Sequence, residues 1–354
     1  MRRKTEYLIS ILAIVAALAS CGRGIVNDAP VKLVHPQKEL SLAVDPTLNS
    51  DFEECQQIYQ MNIVSDSILV CGEQGTHEGG YFFKAYSCNT LQYLGSFIRK
   101  GRADGEFLRP RAVSRNNCDE SLFLMDKSLN ADVAVDVEAS AGKPLPVFRT
   151  YPSEAESVWE WLPLSDSLFF VGQQEKDDEL TYKVVDIQGN AVKEYHPFKG
   201  IDCMTNATCL SELLLGNPQK MKVAQVMLFF PQINIYDLEK ETIFSYAVDK
   251  DYRKWNSVVD RNMGMETMSY YKGATASPDY IFASYSPMSI SQMLSKELHG
   301  TSIHIFDWEG SWLYNIKVEE SVEAMAYDGV HKFLYAVDNA EGQIVRYNLG
   351  DILQ

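Results

Sequence analysis

The sequence predicts an all-β fold, a six-bladed β-propeller, because short β-rich segments alternate with turn residues and little of the chain has a helical period. A polar turn followed by a short apolar strand recurs six times, and successive copies are 54, 46, 45, 67 and 53 residues apart. The copies are SDSILVCG (65–72), DESLFLMD (119–126), SDSLFFVG (165–172), SELLLGN (211–217), PDYIFASY (278–285) and HKFLYAVD (331–338). A period of about fifty residues with two hairpins is typical of propeller blades. A pair of two-sheet sandwiches would not produce six similar periods.

A second set of five segments predicts a further β-hairpin in five of the six repeats. These segments are FFKAYSCNTLQYLGSF (82–97), YKVVDIQGNAVKEY (182–195), INIYDLEKETIFSY (233–246), IHIFDWEGSWLYNI (303–316) and IVRYNLGD (344–351). Turns such as the one at Gly189 separate two alternating strands in the complete copies. The last copy is one strand short, so we expect the segment Glu39–Val44 to supply that strand and close the ring, which removes exposed sheet edges.

The junction between the first two repeats carries a recognisable motif. Residues 100–110 read KGRADGEFLRP and resemble the K-G-x-G-P-G-E-F-x-x-P junction of NHL-type repeats. Together with the Ser-Asp-Ser-Leu strand starts, the Phe-Asp-Trp-Glu-Gly hairpin and a lipoprotein-like N-terminus, residues 40–350 resemble the TolB-like six-bladed propeller lipoproteins. The resemblance implies the propeller fold. It leaves the chemistry open, because that family is largely without assigned activity.

The N-terminus predicts export and lipid attachment. Arg2, Arg3 and Lys4 precede an apolar run from residue 7 to 18, which is too short for a membrane-spanning helix of about 20 residues and fits a secretory signal. Leu-Ala-Ser before Cys21 resembles the lipobox of bacterial lipoproteins, in which the cysteine is acylated. The alternatives are an ordinary signal peptide or an uncleaved anchor. We therefore predict a signal peptide over 1–20, a lipidated tether over 21–32 and the propeller over 33–354.

The charge of the chain limits its partners. The full sequence has a net charge of −16, and removal of residues 1–20, with three positive residues and one negative, gives −16 − 3 + 1 = −18. Such an acidic protein is expected to repel nucleic acid. We predict a location in the bacterial cell envelope, anchored by lipid in the outer membrane. The periplasmic and the surface face of that membrane are the two alternatives.

Familiar catalytic motifs are missing, and no cofactor or metal site is predicted from the six scattered histidines. The basic junction loop is the first candidate ligand site, with Arg102, Arg109 and Arg111 able to bind a carboxylate or a sulfated or phosphorylated sugar. The alternative is that these arginines pair with acidic neighbours. Trp159 and Trp161 flank one residue and so point to the same side, where they would stack on a sugar or pack within the blade.

Two further features concern the surface. Asp-Ser-aliphatic segments at Ser67 and Ser167 resemble the O-glycosylation acceptor of some anaerobic Gram-negative envelopes, although a turn that leads into a strand has the same residues. The stretch 286–302 predicts a short amphipathic helix with Ser289 as its cap and an apolar stripe of Ile290, Met293, Leu294 and Leu298. We expect that stripe to pack on the propeller rim, with partner recognition as the alternative.

These observations favour a non-enzymatic binding or scaffold propeller. Its expected partner is a peptide, a glycan or an envelope protein on the channel face. The alternative is a propeller hydrolase or lyase that acts on polysaccharide. The two differ in the channel, because an enzyme needs at least two titratable groups that converge in one pocket.

Overall fold

Six β-sheets surround a central channel in the computed structural model, which describes residues 25–26, 29–45, 57–74, 77–113, 120–151, 158–175, 179–201, 210, 212–255, 258, 263–295 and 300–353. The predicted all-β, six-bladed propeller is confirmed. Within those ranges, no helix has the length and apolar character needed to cross a membrane.

Two short strands precede the ring, and the first three blades follow, each as four antiparallel strands from the channel outwards. The leading strands are β1 (Val31–Leu33) and β2 (Lys38–Ser41). The first blade contains β3 (Ile58–Val64), β4 (Ile68–Glu73), β5 (Tyr81–Ser87) and β6 (Tyr93–Arg99). The second contains β7 (Arg111–Ala112), β8 (Leu122–Asp126), β9 (Ala131–Asp136) and β10 (Val147–Tyr151), with helix α1 (Val137–Ser140) between its last two strands. The third contains β11 (Val158–Pro163), β12 (Leu168–Gln174), β13 (Leu180–Asp186) and β14 (Ala191–Tyr195).

The remaining blades complete the ring. The fourth contains β15 (Glu212–Asn217), β16 (Lys222–Met227), β17 (Gln232–Asp237) and β18 (Thr242–Ala247). The fifth contains β19 (Met268–Ala276), β20 (Tyr280–Ser289), β21 (Thr301–Asp307) and β22 (Trp312–Val318), with helix α2 (Ile290–Leu294) after its second strand. The sixth contains β23 (Val322–Asp328), β24 (Phe333–Asp338) and β25 (Gln343–Asn348). Short 3-10 segments lie at Pro218–Lys220 and Lys250–Lys254.

One side-chain-to-backbone hydrogen bond recurs at the end of the third strand in all six blades. The last residue of that strand has a short polar side chain, whose oxygen accepts a hydrogen bond from a backbone N–H two or three residues further on. The six residues are Ser87, Asp136, Asp186, Asp237, Asp307 and Asn348. Asp, Asn and Ser favour such turns because their side chains satisfy the turn's own backbone.

The fourth copy of the sequence repeat does not form the same strand of its blade as the other five copies do. SELLLGN forms β15, the inner strand of its blade, whereas the other five copies form second strands. The segment that corresponds to those copies is β16, which begins at Lys222. Both strands are apolar and follow polar residues, so local sequence does not distinguish them.

The ring is held together by apolar packing between blades. Six large apolar clusters fill the six boundaries between neighbouring blades, including the boundary of the sixth blade with the first. At that closing boundary the Tyr335 hydroxyl also donates to the carbonyl oxygen of Cys88 at 3.0 Å. Burial of these faces is the dominant favourable contribution to folding.

The N-terminal segment runs along the outside of three blades, and residues 29–45 are called the N-terminal strap here. Strand β1 pairs in parallel with β18 of the fourth blade, and β2 pairs in parallel with β22 of the fifth. The strap reaches the sixth blade at Asp45, whose N–H donates to the Arg346 carbonyl at 2.7 Å and whose carboxylate accepts from the Arg346 guanidinium at 2.7 Å. The expected closing strand therefore lies one blade earlier. Residues 38–41 extend the fifth blade because its outer edge has free backbone groups, and the last blade receives only the end of the strap.

The segment expected to be a tether over 21–32 is in part a component of the body. Ile25, Val26, Ala29 and Val31 are all buried, and the first three belong to the apolar cluster between the third and fourth blades. This stretch is mostly polar and contains Gly and Pro, so its composition indicated a tether. Its four apolar side chains nevertheless pack against the body. Cys21 and the signal segment lie outside the described residues.

Helix α2 begins where the sequence predicts but does not bury its stripe. Ser289 forms a capping box with Gln292, as its position suggested. Met293 and Leu294 are exposed to 37% and 68%, so the expected packing of these two side chains on the rim is wrong. The helix has only five residues, which is too short to turn a whole apolar face towards the sheet. Leu298 lies outside the described residues.

Candidate functional site

The inner strands of all six blades contribute to one pocket in the channel, called the channel pocket here. Its volume is about 230 Å³. Much of its wall is apolar, and five charged side chains from five different blades lie within that wall: Arg111, Glu160, Glu212, Lys272 and Glu323. Titratable groups therefore converge in the channel, which is the arrangement that binding of a charged ligand or acid–base chemistry requires.

An ion pair occupies the side of the pocket formed by the second and third blades. A terminal nitrogen of Arg111 lies 2.6 Å from an Oε2 of Glu160. The backbone beside it is held from the first blade, because the Gln60 side-chain oxygen accepts from the Ala112 N–H at 3.1 Å. Three successive blades thus fix the orientation of this guanidinium.

Glu212, on the fourth blade, is a carboxyl group kept neutral by its surroundings. Burial, together with the nearby charge of Glu160, raises its pKa to about 8, although hydrogen bonds from Tyr182 and Gln225 act in the opposite direction. The Tyr182 hydroxyl bonds to one carboxyl oxygen, and the Gln225 amide nitrogen lies 2.6 Å from the other. At neutral pH the group is therefore mostly protonated.

The Glu212 network continues outwards through the fourth blade. Asn234 donates to the Gln225 side-chain oxygen at 2.8 Å, and the Ser245 hydroxyl donates to the Asn234 oxygen at 2.8 Å. Gln225, Asn234 and Ser245 are all buried. A hydrogen-bonded row thus links the pocket to β18, the strand on which β1 of the strap lies. Such a satisfied row fixes the position of Glu212.

Lys272 and Glu323 face the pocket from the fifth and sixth blades. Burial lowers the pKa of the Lys272 ammonium, and the charge of Glu323 offsets part of this. The nitrogen of Lys272 contacts the Met288 sulfur at 3.1 Å, and no carboxylate of the described chain lies within 4.0 Å of it. The two strands approach closely because Gly273 has no side chain: a Cβ there would lie 1.4 Å from the Glu323 carbonyl oxygen.

The junction loop at 100–110 leads into the pocket but keeps two of its arginines outside. A Glu106 carboxylate oxygen accepts from the Ala103 N–H at 3.0 Å, and Phe107 is buried. Both backbone N–H groups at Leu108 and Arg109 donate to one oxygen of the buried Asp126. Arg102 and Arg109 are exposed and do not line the pocket.

Of the predicted basic and aromatic residues, Arg111 and Trp161 reach the pocket. The Trp161 side chain is 4% exposed and stacks on Phe169, with ring centroids 5.4 Å apart. It also contacts Tyr151, at 5.5 Å. These contacts correspond to the packing alternative, since the ring is buried among other aromatic side chains. The side chain of Trp159 lies outside what the structure describes.

The two candidate glycosylation residues occupy equivalent places in the fold. Ser67 and Ser167 are exposed in the turns that follow β3 and β11. Because the pocket is lined by the earlier part of these inner strands, both hydroxyls lie towards the other end of the channel. Their exposure suits modification and a simple turn equally well.

Comparison with known proteins identifies the family. Residues 52–329 match the family described as TolB-like 6-blade propeller-like. The chain belongs to this family. No curated protein matches it. This TolB-like propeller is similar in fold to a DUF4221-family protein from Bacteroides vulgatus, with a TM-score of 0.51, 11% identity and coverage of 89% of this chain and 96% of the other.

A second solved structure has a similar fold. A candidate exported protein from Bacteroides fragilis has a TM-score of 0.51 at 11% identity, with coverage of 88% of this chain and 99% of the other. At that identity the likeness shows the fold alone.

Sequence reasoning missed Glu160, Glu212, Lys272 and Glu323 as pocket residues of this TolB-like propeller. A signal was present, because each is a charged residue within an otherwise apolar strand, as in SYYKGATA around Lys272. Five of the six repeat segments form second strands, so the inner strands do not stand out in the sequence as a set.

Proposed function

We propose that this TolB-like propeller is a cell-envelope lipoprotein that binds the carboxylate of a peptide or glycan partner in its channel pocket. The observation that carries the proposal is Lys272, a cation in the pocket wall with no carboxylate of the described chain within 4.0 Å. A half-buried ammonium is costly unless an anion accompanies it, and a ligand carboxylate would supply that anion.

The size of the pocket limits what part of a partner it accepts. Ligand pockets commonly enclose about 300–1,000 Å³, whereas this one encloses about 230 Å³. A single acidic side chain, a chain end or one uronic acid fits that volume, and a polymer strand does not. The rest of a larger partner would contact the loops around the channel mouth.

The test compares Lys272→Gln with Arg102→Gln as a matched control that also removes one positive charge. The probes are a fluorescent glutamate-rich peptide and a glucuronic-acid-terminated oligosaccharide, titrated by anisotropy at several salt concentrations. A charge-assisted hydrogen bond contributes about 1.5–3 kcal/mol, so Lys272→Gln should weaken binding at least tenfold while Arg102→Gln changes it little. The peptide and glycan arms identify the class of partner.

Equal binding of both probes by parent and Lys272→Gln protein would contradict the pocket assignment. Failure of the parent to bind either probe would contradict the carboxylate. Circular dichroism and melting curves check that the variants fold.

One observation favours the enzymatic alternative as a second candidate. Glu160 is ion-paired with Arg111, whereas burial raises the pKa of the neighbouring Glu212 to about 8. Two carboxyl groups in environments that differ in this way are typical of acid–base catalysis. Incubation of the protein with acidic polysaccharides, with detection of new reducing ends or unsaturated products, tests this. A turnover that Glu212→Gln abolishes would support the hydrolase or lyase, and no product with any polysaccharide would oppose it.

A further inference from the structure

The lipid-bearing cysteine of the proposed function is unusually close to the folded body. Ile25 and Val26 are exposed to only 1% and 2% and pack in the cluster between the third and fourth blades. Val31 then lies beside Ser245 on the outer edge of the fourth blade. The chain therefore joins the body at this boundary, and Ile25 is already fixed there.

Covalent geometry sets the length of the connection. Ile25 is four residues after Cys21, and an extended chain advances at most about 3.6 Å per residue, so the two Cα atoms are at most about 14 Å apart. Acyl chains on Cys21 must lie in the hydrocarbon layer, which places the cysteine in the interfacial region. The boundary of the third and fourth blades is thereby held against the lipid headgroups, without a spacer that would let the body turn freely.

The outer strands of the third and fourth blades carry exposed apolar side chains on either side of this boundary. Val192 on β14 is 54% exposed and Phe244 on β18 is 42% exposed, and Ile187 lies in the turn before β14. Lys193 connects the two blades, since its nitrogen donates to the Leu238 carbonyl and lies 3.2 Å from Glu241. The two outer strands are thus joined at the boundary, and the exposed apolar side chains that flank it are suited to the interfacial region of a bilayer.

We infer that the rim of the third and fourth blades, with Ile187, Val192 and Phe244, is a membrane-contacting surface. In this orientation the propeller stands on its edge, and the channel opens parallel to the bilayer rather than into it. The inference rests on the proposed lipidation of Cys21. It adds the face of the body that meets the lipid and explains how the channel pocket stays accessible to a partner.

The test uses the full-length protein, processed and lipidated in cells and reconstituted into vesicles of phosphatidylethanolamine with a minor fraction of phosphatidylglycerol. A photoreactive benzoylphenylalanine replaces Val192 or Phe244, and matched controls carry it on the opposite side of the ring. Leu94 on β6, the outer strand of the first blade, lies opposite Phe244 and has the same exposure of 42%. Val330, at 60%, lies in the turn after β23 of the sixth blade, which is the blade opposite the third. Radiolabelled phospholipid adducts are counted after illumination, and palmitate incorporation is measured on the same samples.

The expected result is at least fivefold more lipid adduct at Val192 and Phe244 than at Leu94 and Val330. A Gly-Ser spacer of about 20 residues after Cys21, with an end-to-end distance of about 25 Å, should remove most of this difference. Equal adducts at all four positions of a palmitoylated protein would overturn the rim contact while the lipid anchor stands. Absence of palmitate from the parent would overturn both the anchor and the inference, and Cys21→Ser provides the unlipidated reference.

Discussion

Replacement of Glu212 by Gln tests whether the channel carboxyl is protonated in the folded protein. Gln is an isostere of the neutral acid, and its oxygen and nitrogen can meet Gln225 and Tyr182 as the two carboxyl oxygens do. It cannot ionise, so it removes only the titration of Glu212.

The sign and size of the change in folding stability with pH follow from the raised pKa of Glu212. The ordinary pKa of 4.5 describes the unfolded chain, and burial raises the folded value to about 8. Between these values the folded state holds a proton that the unfolded state has released, so stability falls as pH rises through the window. Each unit of pH in that window changes stability by up to about 1.4 kcal/mol, and the loss between pH 6 and pH 8 is on the order of 2 kcal/mol.

The assay is urea unfolding of the parent and Glu212→Gln at pH 6, 7 and 8. The parent should lose on the order of 2 kcal/mol more than the variant across this range. Glu266→Gln serves as control, because Glu266 is exposed and its removal should leave the pH slope of the parent unchanged. Parallel pH curves for parent and Glu212→Gln would refute a protonated carboxyl in the channel, and with it the acid–base alternative.

Three further changes test the ring and its strap. Deletion of residues 22–32 should lower the melting temperature measured by calorimetry, because it removes four buried apolar side chains and β1. At about 25 cal/mol per Å² of buried apolar surface, the loss is several kcal/mol. Deletion of residues 22–24 alone should leave the melting temperature nearly unchanged. Arg346→Gln should destabilise by about 3 kcal/mol, since it removes the guanidinium that forms the ion pair with the largely buried Asp45 carboxylate; a urea midpoint equal to that of Arg102→Gln would contradict the strap contact. Gly273→Ala should destabilise by about 3 kcal/mol or more, because its Cβ would overlap the Glu323 carbonyl. Gly264→Ala, with nothing within 4 Å of the new Cβ, should melt like the parent.

Local sequence was sufficient to predict the presence of the strands and their turns. Alternation with period two and polar turn residues are properties of a few consecutive residues, so the blades and the outer hairpins could be predicted without knowledge of neighbours. The same holds for the cap of α2 at Ser289. Whether the apolar stripe of α2 is buried could not be predicted, because burial depends on whether another part of the fold lies close enough to pack against it.

Ring closure and the pocket depended on contacts between distant residues. Arg111 meets Glu160 49 positions later, and Asp45 meets Arg346 301 positions later. Which strand becomes innermost, and which charged residues therefore face the channel, is decided by how six sheets pack around one axis. A charged residue in an apolar strand looks the same in sequence whether it faces a pocket, a neighbour or solvent. The repeating unit is thus encoded locally, whereas Glu212 and Lys272 share one pocket, and Ile25 belongs to the core, only because distant segments pack against each other.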